Sequence, residues 1–212
     1  MLTEAAEPQN TTYETVDPDV RLMLQVRDGN ALAFEELVLR YQARLITILD
    51  NLVHNRHRAE ELAQEVFLRV FRARASYRPD ARFATWLFTI AHNVASNALR
   101  AASRQHEVNI ALDQSGEMTA KPMDSIAVAP SGLMPARQLE KGELADIVRQ
   151  AVDSLGERQR MAVLLSKFEH MSYQDIAKTM GLSIQAVKSL LSRARENLRE
   201  ILEPYVQEGI RP

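Results

Sequence analysis

Apolar residues recur at the spacing of an α-helix along two separate stretches of this 212-residue chain. The run from Phe34 to Leu52 keeps the i, i+3, i+4, i+7 pattern over about five turns, which places one continuous apolar stripe on a single helix face. The same pattern returns at 62–71, 83–98 and 144–201. The seven glycines and eight prolines are few for a chain of many strands and tight turns. The sequence therefore predicts an all-α fold.

The helical pattern is lost between residues 103 and 137, where prolines, glycines and scattered serines leave no sustained apolar stripe. This composition is typical of a flexible linker. We therefore expect two helical domains, 18–102 and 138–204, and the chain is long enough for each to bury its own core. An acidic N-terminal extension, 1–17, and a short C-terminal tail, 205–212, complete the predicted organisation.

Charge is distributed unevenly along the chain. Residues 69–104 contain seven arginines and one acid, whereas residues 1–20 contain five acids and no lysine or arginine. The first block is a candidate surface for a polyanion such as a nucleic acid. A solvated helix face is the alternative, and charge alone does not decide between them.

Several classes of function are excluded or unsupported. The absence of cysteine excludes a disulfide scaffold, a thiolate zinc site and a cysteine nucleophile. No apolar run is long enough to span a membrane and the N-terminus is unlike a signal peptide, so we expect a cytoplasmic protein without membrane insertion. His54 and His57 lack a third metal ligand, and no phosphate loop or nucleophile motif occurs. We expect no metal, no cofactor and no enzymatic activity.

The C-terminal stretch contains capping residues that predict the start and end of two helices separated by a short turn. Ser172 is a predicted N-cap, and Met171 with Ile176 occupies the positions of a hydrophobic staple. Gly181 supplies a left-handed residue that ends this helix, and Ser183 caps the next one. Two helices joined by a short turn containing glycine form the arrangement of a helix-turn-helix.

The second of these helices has a polar and basic face opposite its apolar stripe. At about 100° per residue, the stripe from Val187 to Ile201 points inward. Side chains that can bind base edges and phosphates lie on the outward face and its flanks: Gln185, Lys188, Ser189, Ser192, Arg193, Arg195 and Arg199. A solvated amphipathic helix in an adaptor remains the alternative reading of this segment.

Taken together, these residues resemble a known family. SYQDIA at 172–177, GLS at 181–183 and LSRARENLR at 191–199 look like region 4 of bacterial sigma-70-type factors, and fit best the extracytoplasmic-function (ECF) group. Region 2 of that group is similar to three further segments: GNALAFEEL at 29–37, AEELAQEVF at 59–67 and FATWL at 83–87. The two blocks stand in the family's order, and the pair is more specific than either block alone.

The resemblance implies three binding surfaces. A helix that docks the clamp of the polymerase β′ subunit maps to Glu60, Glu61, Gln64, Glu65 and Arg69. Recognition and melting of the -10 element map to Tyr77, Arg78, Arg82, Trp86, Asn93, Asn97 and Arg100. For Trp86 the helical spacing from Phe83 and Ile90 favours a core anchor over a wedge between bases. The outward face of the second helix would read the -35 element.

Two departures from the family pattern stand out. Leu190 occupies a position where many members have arginine, so one positive contact to DNA is missing. Gly156 replaces a proline before the next helix and lacks the preset φ that proline gives to a helix start.

The resemblance therefore implies a sigma factor that recruits core RNA polymerase, through its β′ clamp and β flap, to promoter DNA. An anti-sigma protein is common in the family, and the sequence does not say whether this chain has one. A helix-turn-helix regulator with an N-terminal sensory or dimerisation bundle is the alternative, but it leaves the Gln64 and Phe83–Asn93 segments without a role. A helical scaffold without DNA contact is a third reading.

Overall fold

The computed structural model describes residue 13, residues 16–113 and residues 146–207. Most of the predicted N-terminal extension lies outside these ranges. The part of the predicted linker that follows residue 113 also lies outside them. The described residues form helices joined by short turns and contain no strand. The helices are α1 (Pro18–Arg27), α2 (Ala31–Val53), α3 (Arg56–Ala73), α4 (Phe83–Asp113), α5 (146–153), α6 (Glu157–Lys167), α7 (Tyr173–Met180) and α8 (Ile184–Gln207). The all-α prediction is confirmed.

Side-chain caps set the starts of the N-terminal helices. Asp17 accepts a hydrogen bond from the Asp19 backbone N–H at 2.9 Å and precedes Pro18, the first residue of α1. The second carboxylate oxygen of Asp17 accepts from the backbone N–H of Phe83 at 3.0 Å. One side chain therefore holds the starts of α1 and α4 together. Gly29, at φ 97°, makes the turn into α2 in a conformation that other residues rarely adopt.

Two helix ends differ from the prediction. Helix α4 continues to Asp113, so helix extends into the segment from residue 103 onwards whose side-chain pattern predicted a linker. Helix α8 includes Pro204 and reaches Gln207, three residues past the predicted domain boundary at 204. Proline inside a helix has no N–H to donate and favours a kink, so the last turn of α8 has one backbone hydrogen bond fewer at Pro204.

The core runs without a break through both halves of the molecule. Helices α1 to α4 surround fully buried side chains such as Phe83, Phe88 and Leu45, and the Tyr41 ring meets Phe83 edge-on at 5.2 Å. Helices α6 to α8 enclose Leu164 and Ile176. Full burial of one such side chain contributes about 1.5–3 kcal/mol to folding.

The two helical domains pack directly on each other. Arg44 of α2 forms a two-contact ion pair with Glu169, whose side chain is completely enclosed, and the Nε–Oε1 distance is 3.0 Å. Helix α4 contacts α7 through a hydrogen bond from Thr85 Oγ1 to Asp175 Oδ1 at 2.9 Å. The sequence predicted two domains but not this contact between them.

Candidate nucleic-acid and partner-binding surfaces

The helix-turn-helix forms through the predicted caps. The Ser172 hydroxyl accepts from the Asp175 backbone N–H at 3.1 Å, and the Ser183 hydroxyl accepts from that of Ala186 at 3.1 Å. Gly181 adopts the left-handed conformation at φ 63°. Ile176 is fully buried between α7 and its neighbours. These caps fix the angle at which α8 leaves the turn.

Helix α8 buries its apolar stripe and exposes its polar face. Val187, Leu191 and Ala194 are buried, whereas Leu190 is half-buried and packs against the core. The predicted -35 residues that are exposed are Gln185, Lys188, Ser192, Arg193, Arg195 and Arg199, and Ser189 is half-buried. The surface is therefore open to a ligand along more than two turns of helix.

Arg195 is held in place by the neighbouring helix. Its Nη2 donates to the hydroxyl of Tyr173, on α7, at 3.1 Å. This contact positions the guanidinium at the edge of the exposed face. Sequence reasoning placed Arg195 near the DNA backbone but did not identify Tyr173 as its support.

The predicted -10 residues divide into an exposed and a packed group. Asn93, Asn97 and Arg100 are exposed at i, i+4 and i+7 on one face of α4. Arg78 and Arg82 are exposed in the segment between the 3₁₀ turn Arg74–Ser76 and α4. All five side chains are exposed, and three of them are arginines.

Tyr77 and Trp86 belong to the packed group. The Tyr77 ring lies edge-on to Trp86 at 4.8 Å, and only 3% of the Tyr77 surface is exposed. Burial raises the pKa of the Tyr77 phenol, and among the described residues its hydroxyl has no hydrogen-bond partner. Trp86 is half-buried and also packs against Phe83, at 6.1 Å. In this conformation Trp86 is a core anchor, and Tyr77 offers no free ring face for stacking.

The predicted polymerase-docking residues form a charged row along α3. Glu61, Gln64 and Arg69 are exposed, and Glu60 and Glu65 are half-buried. Arg58 donates to Glu61 at 2.7 Å and this hydrogen bond lowers the Glu61 pKa, so its carboxylate is held ionised. Further salt bridges join Arg56 to Glu60 at 2.9 Å and Arg69 to Glu65.

An apolar groove lies beside this row, and sequence reasoning missed it. The groove has a volume of about 870 Å³ between α2 and α3. Its lining includes Phe34, Val38, Ile46, Gln64, Phe67, Leu68 and Phe71. Leu68 remains 54% exposed and Phe71 39% exposed. A signal was present: Leu68 stands outside the inward stripe of α3, where a solvated helix would carry a polar residue.

Two further observations concern the metal sites and membrane-spanning helices that the sequence argued against. His54 Nδ1 lies 3.5 Å from Asp153 and His57 Nε2 lies 3.5 Å from Glu61. Across residues 16–113 and 146–207, no group of three or more His, Asp or Glu side chains is placed to hold a metal ion. None of the helices in the described ranges has both the length and the hydropathy to cross a membrane.

The halves of the chain match two family models. Residues 37–105 match the model described as Sigma-70 region 2, and residues 145–198 match that described as Sigma-70, region 4. The first covers most of α2 to α4, and the second covers the helix-turn-helix.

Whole-chain relatives carry related names. The RNA polymerase sigma-H factor of Pseudomonas aeruginosa is 33% identical over 200 residues, which cover 92% of this chain and 99% of that protein. The RNA polymerase sigma factor CarQ of Myxococcus xanthus is 37% identical, over 85% of this chain and 95% of that protein. The ECF RNA polymerase sigma-E factor of Escherichia coli is 31% identical, over 89% of this chain and 96% of that protein.

Solved structures show the same fold. CnrH in complex with the cytosolic domain of CnrY superposes with a TM-score of 0.62 at 23% identity, over 89% of this chain and 99% of that one. The sigma factor RpoE of Bartonella quintana, in complex with the anti-sigma factor NepR, superposes with a TM-score of 0.60 at 26% identity, over 80% of this chain and 96% of that one. This chain belongs to the sigma-70 family of RNA polymerase sigma factors, in the extracytoplasmic-function group.

Proposed function

We propose that this chain binds core RNA polymerase, recognises the -35 and -10 elements of promoters and assists melting of the -10 region. One observation carries the proposal: a helix-turn-helix with an open polar and basic face is joined to a region 2 domain with its own exposed surfaces. The alternative of a helix-turn-helix regulator with a sensory bundle gives the groove beside α3 no role.

Recognition of the -35 element is assigned to the N-terminal half of α8. Gln185, Lys188 and Ser189 stand closest to the turn, where a recognition helix meets base edges in the major groove. Arg195 and Arg199 lie farther along the helix and suit phosphates, which set affinity and salt dependence more than sequence choice.

Recognition of the -10 element is assigned to α4 and the loop that precedes it. Asn93 and Asn97 can donate to and accept from an unstacked base, while Arg78, Arg82 and Arg100 neutralise phosphates. Capture of a base by Tyr77 requires the loop to move, because the ring is buried against Trp86. Trp86 serves this site as the anchor that supports the loop.

Polymerase docking is assigned to α3 and the groove beside it. Exposed apolar side chains bordered by ordered charges are typical of the centre and rim of a protein interface. Leu68 and Phe71 supply the apolar contact, and Glu61, Gln64 and Arg69 supply the polar rim. We assign the β′ clamp to this surface and the β flap to the C-terminal domain, as the family resemblance implies.

The protein performs no chemistry of its own in this proposal, because the polymerase carries the catalytic site. It acts in the cytoplasm, where core polymerase meets chromosomal DNA. Regulation by an anti-sigma protein is supported by the similarity to RpoE of Bartonella quintana, whose structure contains one.

Gel filtration with purified bacterial core polymerase tests the docking assignment. Glu61→Arg should weaken association at least about tenfold, because it reverses an ionised charge and opposes Arg58 on the docking row. Asp28→Arg is the matched control: it reverses a charge in the exposed turn after α1, and Asp28 does not line the groove. Equal co-elution of wild type and Glu61→Arg would remove α3 from the interface.

A further inference from the structure

A cavity lies where α7, the first helix of the helix-turn-helix, packs on the start of α4. It has a volume of about 310 Å³, and side chains of both domains line it. The lining includes Ser76, Arg78, Asp80, Trp86, Thr89 and Lys178. Sites for small molecules in proteins have volumes from about 300 Å³ upwards, so this cavity has room for one small ligand. Lys178 belongs to none of the binding surfaces assigned above.

Two cations line this cavity, one from each domain. Lys178 Nζ donates to the backbone carbonyl of Asp80 at 2.9 Å, which fixes the ammonium at the cavity wall and leaves two of its N–H groups for a ligand. Within the described ranges, the Arg78 guanidinium has neither a hydrogen bond nor an ion pair. The Asp80 carboxylate is the acid of the lining and is exposed, so positive charge prevails. The two cations together favour an anionic ligand.

The walls of the cavity also offer an aromatic ring and hydroxyl oxygens. Trp86 is half-buried, so part of its indole remains open to the cavity. Ser76 Oγ donates to the carbonyl of Ala73 at 2.9 Å. Thr89 Oγ1 donates to the carbonyl of Thr85 at 2.7 Å. Because each hydroxyl has used its one proton, its oxygen is left as an acceptor for a donor on the ligand.

Buried hydrogen bonds hold the walls in place. Thr85 Oγ1 donates to Asp175 Oδ1 of α7 at 2.9 Å, and Thr85 is buried. Thr179 Oγ1, also buried, lies 3.4 Å from the carbonyl of Thr85. These contacts fix α7, and with it Lys178, against α4 before a ligand arrives. Binding to groups that are already in position loses less conformational entropy.

We propose that this cavity binds a free nucleoside phosphate. The phosphate lies between Arg78 and Lys178, which suit phosphate oxygens. The base packs on Trp86, and the ribose hydroxyls donate to Ser76 and Thr89. An inorganic anion would leave the indole and both acceptors unused. The inference goes beyond the proposed function, because the site includes a side chain of the helix-turn-helix domain and needs neither polymerase nor a promoter. A nucleotide unit of single-stranded DNA carries the same groups, so the experiment compares the two sources.

Tryptophan fluorescence of the full chain measures binding directly, because Trp86 is the single tryptophan of the sequence and lines the cavity. The probes are the common ribonucleoside 5′-monophosphates, and adenosine and inorganic phosphate are tested as parts of the ligand. At least one monophosphate should give a saturable change. Lys178→Ala should weaken its binding at least about fivefold, because a charge-assisted contact is lost, and Lys178→Arg should restore it. Lys167→Ala is the matched control, since it removes an exposed lysine that does not line the cavity.

Thermal unfolding gives an independent readout, because a ligand that binds the folded chain alone raises its melting temperature. At one concentration of the monophosphate, the increase should be smaller for Lys178→Ala than for the wild type. Equal affinity of these two proteins, or no response to any monophosphate, would overturn the inference. A response of Trp86 to a short single strand of DNA but to no monophosphate would assign the cavity to the -10 strand and would overturn it as well. Neither assay contains polymerase, so these failures leave the proposed function standing.

Discussion

At the residue scale, His92 shows how domain packing changes a titration. The ring is half-buried on α4, and burial lowers its pKa; Arg158 and Arg100 act in the same direction, and Glu157 opposes them. Glu157 belongs to α6 and accepts from Ser96 of α4 at 3.1 Å, so this environment exists only while the domains are together. Sequence alone placed His92 on a helix but could not identify these neighbours.

The lowered pKa predicts a loss of stability in acid. Below the ordinary histidine pKa of 6.5 the unfolded chain binds a proton that the folded chain does not, so the free energy of unfolding falls as pH drops through this range. Thermal unfolding from pH 8 to pH 5 should show a shallower decline for His92→Gln than for the wild type. Asn93→Gln, an exposed neighbour of His92 on α4 that carries no titratable group, is the control and should follow the wild type. Equal slopes for all three proteins would contradict this account.

At the element scale, helix boundaries and faces were largely predictable. The helix-turn-helix was predictable from Ser172, Gly181 and Ser183. Helix caps depend on contacts between residues only a few positions apart, so the local sequence is enough to identify them. The stripe on α8 likewise predicted which side chains face solvent. The groove between α2 and α3 was not predictable in this way, because periodicity identifies an apolar stripe but not whether a neighbour covers it.

The recognition helix yields a prediction about -35 affinity. Lys188→Ala should weaken binding of a -35 duplex by the holoenzyme about tenfold, because an exposed positive side chain near the helix start is removed. Lys167→Ala removes an exposed lysine at the end of α6 and should leave binding unchanged. Filter binding across a salt series separates the two, and equal affinity of Lys188→Ala and wild type at every salt concentration would reject the assignment.

The groove yields a second prediction at this scale. Leu68→Glu should weaken polymerase association more than about tenfold, because it puts a charge into the apolar centre of the proposed interface. Leu32→Glu is the control, since Leu32 is 74% exposed outside the groove and lies in the first turn of α2, where an acid is favourable. Fluorescence anisotropy titrations with core polymerase give the dissociation constants of both variants. Equal losses in the two variants would show that the groove is not the contact.

At the scale of the whole molecule, the sequence predicted the two helical domains and their order, but it did not predict that the domains pack on each other. Arg44 and Glu169 are 125 residues apart, and Thr85 and Asp175 are 90 apart, so no local pattern could pair them. Each domain matches its own family model, over residues 37–105 and 145–198. Their contact depends on side chains of complementary charge and shape, which become visible only in three dimensions.

The central claim is that both domains act on one promoter together with core polymerase. Transcription in vitro from a library of random promoters, with purified core enzyme and this protein, tests it most directly. The account predicts that the protein enriches templates carrying two sequence blocks at a near-constant separation, and that Lys188→Ala relaxes selection in the upstream block alone. No enrichment above core enzyme alone, or enrichment of a single block, would contradict it.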